Sequence, residues 1–194
     1  MIAQIRPVMV MITLFTLLTG LIFPLGFVEF GKLAFPYQAG GSLIERNGKI
    51  VGSALIGQNF TSVKYFHGRP SALTGTDPKD STKQVPTPYD ASESGASNLA
   101  PAAKALVDRV TADVAKAGVK GVPGDMVTSS ASGLDPDISP ANAALQVGRV
   151  AKARGMTPGA VRAILAAHTQ GPALGFFGGA RVNVLALNLA LDGK

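Results

Sequence analysis

PVMVMITLFTLLTGLIFPLGFVEF, Pro7 to Phe30, is the stretch on which the reading of the whole chain turns. No charge lies between Arg6 and Glu29. A helix of about 22 residues, rising about 1.5 Å per residue, spans roughly 30 Å, the hydrocarbon thickness of a bilayer. That length fits one membrane crossing. A cleaved signal peptide has a shorter apolar region that ends in small residues. Here the run is long, and Tyr37 stands two places before Ala39, the nearest cleavage candidate. Arg6 and the amino terminus make the first flank purely positive, while Glu29 and Lys32 mix signs on the other. The positive flank is the one that stays in the cytoplasm. The expected organisation is therefore a short cytoplasmic N-terminus at 1–6, a transmembrane anchor at 7–30 and one extracytoplasmic domain at 31–194.

Within the anchor, Thr13, Thr16, Gly20 and Pro24 follow one another at spacings of three, four and four. This places small or weakly polar groups on one helical face, where a second helix can approach closely. Gly26 to Lys32, GFVEFGK, has the spacing of a phosphate loop, but Leu33 stands where the magnesium-binding Ser or Thr is needed, so that reading is rejected.

Outside the anchor, roughly 160 residues remain, enough for one domain with a core. Eighteen Lys and Arg against twelve Asp and Glu give a formal charge of +6. The basic residues are scattered and aromatics make up 6% of the chain, which argues against a nucleic-acid partner. The absence of cysteine excludes disulfides, thiolate chemistry and Cys-based metal sites.

Asn47-Gly48 lies between two apolar runs and tolerates the positive φ of a type I′ turn, so Leu43–Arg46 and Lys49–Ile56 are expected to pair as a hairpin. From Phe66 to Asn98 the chain is rich in Pro, Gly, Ser and Thr and reads as a long functional or disordered loop. Thr74-Gly75-Thr76 has the tail of a P-type ATPase phosphorylation motif, but Ala72 and Leu73 replace its Asp and Lys, so no aspartyl-phosphate can form there. His67 beside Arg69 is a possible anion ligand without a second metal ligand nearby.

Leu99 to Ala117 reads as an amphipathic helix, with Ala103, Leu106, Val107, Val110 and Val114 on one face. Lys104 with Asp108, and Arg109 with Asp113, are spaced for ion pairs on the other. After a β-prone run from Met126 and a Gly-Leu-Asp-Pro turn, Ser139 is placed to cap a helix with Pro140 at its first position. Ala141, Ala144, Leu145, Gly148 and Ala151 are expected to form its packing face, with Gly148 at a close approach. Thr157-Pro158 opens a further helix carrying Val161, Ile164, Leu165 and His168, the last as a favourable charge at the helix end. Ser129, Ser130 and Ser132 with Asp135 and His168 contain the residue types of a hydrolase but lack its nucleophile elbow. Ala180 to Asp192 is expected to be a strand buried on both sides. The fold class is α+β: a single N-terminal transmembrane helix followed by one mixed α/β domain.

Five stretches together resemble one family: GSALIGQ at 52–58, YFHGRPSA at 65–72, YDASESGASNLAP at 89–101, SGLDPDISPANAALQVGRVAKARG at 132–155 and RVNVLALNLALD at 181–192. In this order, behind an N-terminal anchor, they resemble KdpC, the small subunit of the bacterial ATP-driven potassium importer Kdp. The resemblance implies a non-catalytic subunit in the cell (inner) membrane, assembled with a channel-like potassium-binding subunit and a P-type ATPase subunit. It implies a catalytic chaperone that raises nucleotide affinity, with Gln146 as the nucleotide-binding residue, ATP bound only in complex with the ATPase subunit, and neither metal nor catalytic residues of its own. Candidate partner contacts are Thr13, Thr16, Gly20, Tyr65, His67, Arg69, Asn98, Asp135, Ser139, Gly148 and Arg149. Asp137, Ala96 and Gly179-Ala180 depart from the family pattern, where His, Gly and Glu-Pro are common. An extracytoplasmic domain meets little ATP, so assembly and shaping of the ion entrance are physically the easier roles. The alternatives are a membrane-anchored extracytoplasmic hydrolase and an anion-binding module.

Overall fold

A computed structural model describes residues 2–193 and divides the chain into two compact units, Met1–Ser53 and Ala54–Lys194. In the first, a 3-10 turn at Ile2–Gln4 runs into α1 (Ile5–Leu17), a π turn (Leu18–Ile22) and α2 (Phe23–Ala34), which together form one continuous apolar helix, Ile5–Ala34. Pro24 has no N–H to offer the preceding turn, and the wider π turn lies where the regular ladder is interrupted. No residue of this helix is buried by the chain; Phe15 is 54% and Ile22 65% exposed. That separates it from the core helix of a globular domain, and its 30 residues are long and apolar enough to cross a membrane.

The first unit continues through a single turn, α3 (Pro36–Ala39), into the antiparallel hairpin β1 (Leu43–Arg46) and β2 (Lys49–Ser53). Asn47 and Gly48 have φ of 53° and 71°, the positive values a type I′ turn requires. The second strand stops at Ser53, three residues short of the expected end.

The second unit is a mixed α/β domain built around three helices: α6 (Pro140–Arg154), α7 (Pro158–Ala167) and α8 (Val184–Asp192). They pack with a small antiparallel sheet ordered β5 (Asp137–Ile138), β7 (Arg181–Asn183), β6 (Thr169–Gln170). The core joins Val147 and Val150 of α6, Val161 of α7, Val182 of β7, Leu187 and Leu191 of α8, and Phe66 from a segment that belongs to no strand. The capping signals act as expected. Ser139 and Thr157 accept hydrogen bonds from Asn142 N and Ala160 N, and Gly155 ends α6 in the left-handed region. His168 Nδ1 is 2.9 Å from Ile164 O, at the C-terminal end of α7.

Several expectations are corrected. The C-terminal run is a strand for three residues only and then a helix. Leu and Ala are strong helix formers, Asn183 caps the turn by accepting from Ala186 N at 3.0 Å, and a near-continuous apolar run does not reveal its period. The polar stretch from Phe66 to Asn98 contains a hairpin, β3 (Thr74–Asp77) with β4 (Asp80–Pro86), whose turn is fastened by Asp77 Oδ1 accepting from Lys79 N at 2.8 Å. Met126 and Val127 close a one-turn helix, α5 (Gly124–Val127), where a β-prone run was expected.

The amphipathic helix, α4 (Lys104–Ala117), starts five residues later than expected, after the extended Ala103. None of its residues is buried, Lys104 pairs with Asp108, and among the described residues no ion pair joins Arg109 to Asp113. On α6 the buried residues are Asn142, Ala143, Gln146, Val147, Val150 and Ala151. The expected packing face is exposed apart from Ala151, and a Cβ at Gly148 would meet nothing within 4 Å.

Candidate functional site: a polar clamp beneath a cleft

The segment from Gln58 to Ser71 is held largely by side chains. Phe66 N donates to Asn188 Oδ1 at 2.8 Å, and Phe66 O accepts from Asn188 Nδ2 at 3.0 Å. One residue on, His67 N donates to Gln146 Oε1 at 2.8 Å, and His67 O accepts from Gln146 Nε2 at 3.0 Å. Each amide thus pairs with one backbone residue as a neighbouring strand would, one clamp coming from α6 and the other from α8. The segment is buried here, Phe66 being fully inaccessible, and buried backbone groups without partners are costly.

Gln146 is itself fully used. Its Nε2 also donates to Asn142 Oδ1 at 2.9 Å, and its Oε1 also accepts from Arg149 Nη2 at 2.7 Å. An amide has two donor hydrogens and two acceptor lone pairs, and all four positions are taken. Behind it, Asn142 Nδ2 donates to Asp125 Oδ2, whose carboxylate also accepts from Ser139 N at 2.7 Å and Ser139 Oγ at 2.9 Å. Burial works to raise the Asp125 pKa, but these hydrogen bonds outweigh it and hold the group below its ordinary value. Asp125, Asn142, Gln146 and the His67 backbone therefore form a continuous polar chain from α5 through α6 to the clamped segment.

Basic side chains extend the clamp along the same segment. Arg149 Nη1 donates to Val63 O at 2.6 Å and Tyr65 O at 2.9 Å, and its half-buried position lowers its pKa. Arg154 donates to Lys64 O, Leu191 O and the Asp192 carboxylate, while its guanidinium lies 5.1 Å from the Tyr65 ring centre. Tyr65 Oη donates to Asp192 Oδ2 at 2.9 Å. Farther on, Arg69 Nη1 pairs with Asp135 Oδ2 at 2.8 Å, and Asp135 Oδ1 accepts from Asp137 N, tying the segment to the Gly-Leu-Asp-Pro turn. Asp137 is matched by Arg181 at 3.3 Å; burial and the neighbouring Asp135 raise its pKa.

A cleft of about 790 Å³ lies over this arrangement, with Asn59, His67, Tyr89, Lys116, Leu145 and Gln146 in its wall. Tyr89 has a φ of 63° and stacks so closely on the chain that a Cβ at Gly68 would lie 2.2 Å from its hydroxyl. Its hydroxyl donates to Arg69 O at 2.7 Å, and burial above all pushes its pKa up to about 12. Burial lowers the His67 pKa, while its ring nitrogen Nε2 lies 3.1 Å from Ser62 O.

The structure thus brings Tyr65, His67, Arg69, Asp135, Ser139, Gln146 and Arg149 into one network. Asn98, with a φ of 51°, is exposed, as is Gly148, and neither takes part. Thr13, Thr16 and Gly20 lie on the exposed apolar helix of the other unit. Asn188, Asn142, Asp125, Tyr89 and Asp192 were not singled out from sequence, and only the polar interruption of the LALNLAL run at Asn188 signalled any of them; Arg154 was legible only as a basic residue complementing the C-terminal end of its helix. Two of the serines weighed as nucleophiles are occupied in turns, Ser130 Oγ accepting from Gly133 N and Ser132 Oγ from Leu134 N.

The sequence model of the family described as KdpC: K+-transporting ATPase, c chain, matches residues 5–193. A protein of Bradyrhizobium diazoefficiens named potassium-transporting ATPase KdpC subunit is 56% identical over 99% of this chain and 98% of its own length. Proteins of the same name from Rhodopseudomonas palustris strain BisB18 and Methylobacterium nodulans are 55% and 53% identical, each with the same coverage of both chains.

Proposed function

Since this chain belongs to the KdpC family, the c chain of K+-transporting ATPases, we propose that it is a non-catalytic accessory subunit of an ATP-driven potassium importer. In this reading its apolar helix anchors it in the cell membrane with the N-terminus cytoplasmic and the mixed domain outside. Its partners are the potassium-binding, channel-like subunit and the P-type ATPase subunit, whose use of ATP it supports. The observation that carries the proposal is the match across both the apolar helix and the whole domain, at 53 to 56% identity over nearly full length.

A subunit of this kind acts by binding some states of the pump more tightly than others, because only a difference in affinity shifts a conformational equilibrium. The clamp suits that task, since it gives the domain one fixed shape at the Gln58–Ser71 segment. Gln146 serves in it as a positioning residue. For the amide to bind a nucleotide, it would have to give up contacts to His67, Asn142 or Arg149, so the influence of Gln146 on ATP use runs through the shape of the domain. The anchor raises the local concentration of the domain at the pump.

The test is to reconstitute the pump with the full chain, with a chain cut before Glu29, and with neither, and to measure potassium-stimulated ATP turnover. The expected order is full activity, reduced activity that excess domain restores in part, and little activity. Full turnover without this chain would refute the accessory role. Turnover by the chain alone would favour the hydrolase.

A further inference from the structure

Between β6 and β7 the chain makes a turn, Pro172–Gly179, with the sequence PALGFFGG. No charged residue occurs from Thr169 to Ala180. Leu174 is 83%, Phe176 70% and Phe177 59% exposed, and the two Phe rings stack with centres 4.2 Å apart. The turn is folded, with much of its backbone bonded internally: Ala173 and Phe177 exchange both N–H···O bonds at 2.9 Å, and Gly175 N donates to Pro172 O. Leu174 and Gly175 adopt the positive φ that closes it.

Apolar side chains held outward on such a backbone suit an apolar medium, where main-chain groups find no water. A protein partner of ordinary specificity would be met by polar groups at the rim, and the side chains of this tip offer none. At its base stands Arg181, its side chain about half exposed and paired on one side with Asp137. From Ala54 to Lys194 the chain carries fourteen Lys and Arg against ten Asp and Glu. This sign complements anionic headgroups.

We propose that the Pro172–Gly179 turn is a lipid-contacting tip, which inserts Leu174, Phe176 and Phe177 at the headgroup–acyl boundary of an anionic bilayer. The proposal rests on the reading of Ile5–Ala34 as a membrane anchor only in that the anchor keeps the domain near lipid.

The chain has no tryptophan, so Phe176→Trp supplies a single reporter in the full-length protein. The probe is a vesicle of phosphatidylglycerol and phosphatidylcholine, with or without brominated acyl chains. The expected result is blue-shifted emission that brominated lipid quenches about twofold, with Val63→Trp, on another exposed position, left unquenched. Adding Leu174→Asp and Phe177→Asp should abolish the quenching while the circular dichroism spectrum stays the same. Flotation of the chain with the vesicles reports the anchor separately. Water-like, unquenched emission on floated protein overturns the tip and leaves the anchor standing. Equal quenching at both positions also overturns it, as does a blue shift that appears only with the other pump subunits and without lipid quenching.

Discussion

Helices α4 and α6 look alike in sequence and differ in what they do. α4 has a clean apolar stripe and no buried residue; its Val107 stays 53% exposed. α6 has a weaker pattern, and its buried face combines apolar side chains with two amides, Asn142 and Gln146. The apolar stripe of α4 is a surface, whereas the polar pair of α6 fastens the domain. Hydrophobic pattern reports that a face prefers to be covered, and the hydrogen-bond inventory reports whether the chain itself covers it.

The contrast between the two helices is broken most directly at Gln146. Gln146→Leu leaves His67 N–H and C=O and the Arg149 guanidinium short of partners, and unsatisfied buried groups cost about 1–3 kcal/mol each. A stability loss of about 3 kcal/mol is expected in urea denaturation. An unchanged midpoint would mean that the clamp does not hold the domain together. A smaller effect is expected at the start of α6, where Ser139→Ala deletes the cap and a donor to Asp125, for a loss of about 1 kcal/mol by the same measurement.

The wall facing this network can be probed by pH. The Tyr89 pKa is raised from 10.0 to about 12, so its stabilising contribution is whole below pH 10 and is lost as pH climbs toward the folded value. Thermal melts should therefore fall in that window, and Tyr89→Phe should flatten the part of the fall that Tyr89 causes. The smallest effects belong to exposed faces. Val107→Ala on α4 should change stability by no more than about 0.5 kcal/mol, and Gly148→Ala on α6, where a Cβ meets nothing within 4 Å, should raise it by about 0.5–1 kcal/mol through helix propensity. Lost assembly with the pump without lost stability would mark either face as a partner surface.

Much of the fold was legible locally. The uncharged run from Pro7, the Asn47-Gly48 turn and the Ser139-Pro140 and Thr157-Pro158 caps each act within a few residues, and each appears where the sequence placed it. The final helix was hidden because the near-continuous run of Leu and Ala from Val184 fits either period, and its cap, Asn183, lay within what read as a strand. The β3–β4 hairpin was hidden because Val85 is the only aliphatic residue in either strand. The clamp was hidden for another reason. Gln146 meets His67 across 79 positions and Asn188 meets Phe66 across 122, and no spacing rule reaches that far. The resemblance singled out Gln146 without its partners, so its geometry suggests a role that the residue type alone did not.

The two clamps provide the decisive measurement. Asn188 grips Phe66 as Gln146 grips His67, but Asn188 comes from another helix and lies outside the wall of the cleft. In the reconstituted pump, potassium-stimulated ATP hydrolysis should be followed against ATP concentration for the original chain, Gln146→Ala and Asn188→Ala, beside the urea midpoint of each chain. If Gln146 is a positioning residue, the two variants lose midpoint and turnover together and resemble one another in KM for ATP. If Gln146→Ala alone raises KM, with its midpoint unchanged, the amide touches the nucleotide and the positioning role is refuted.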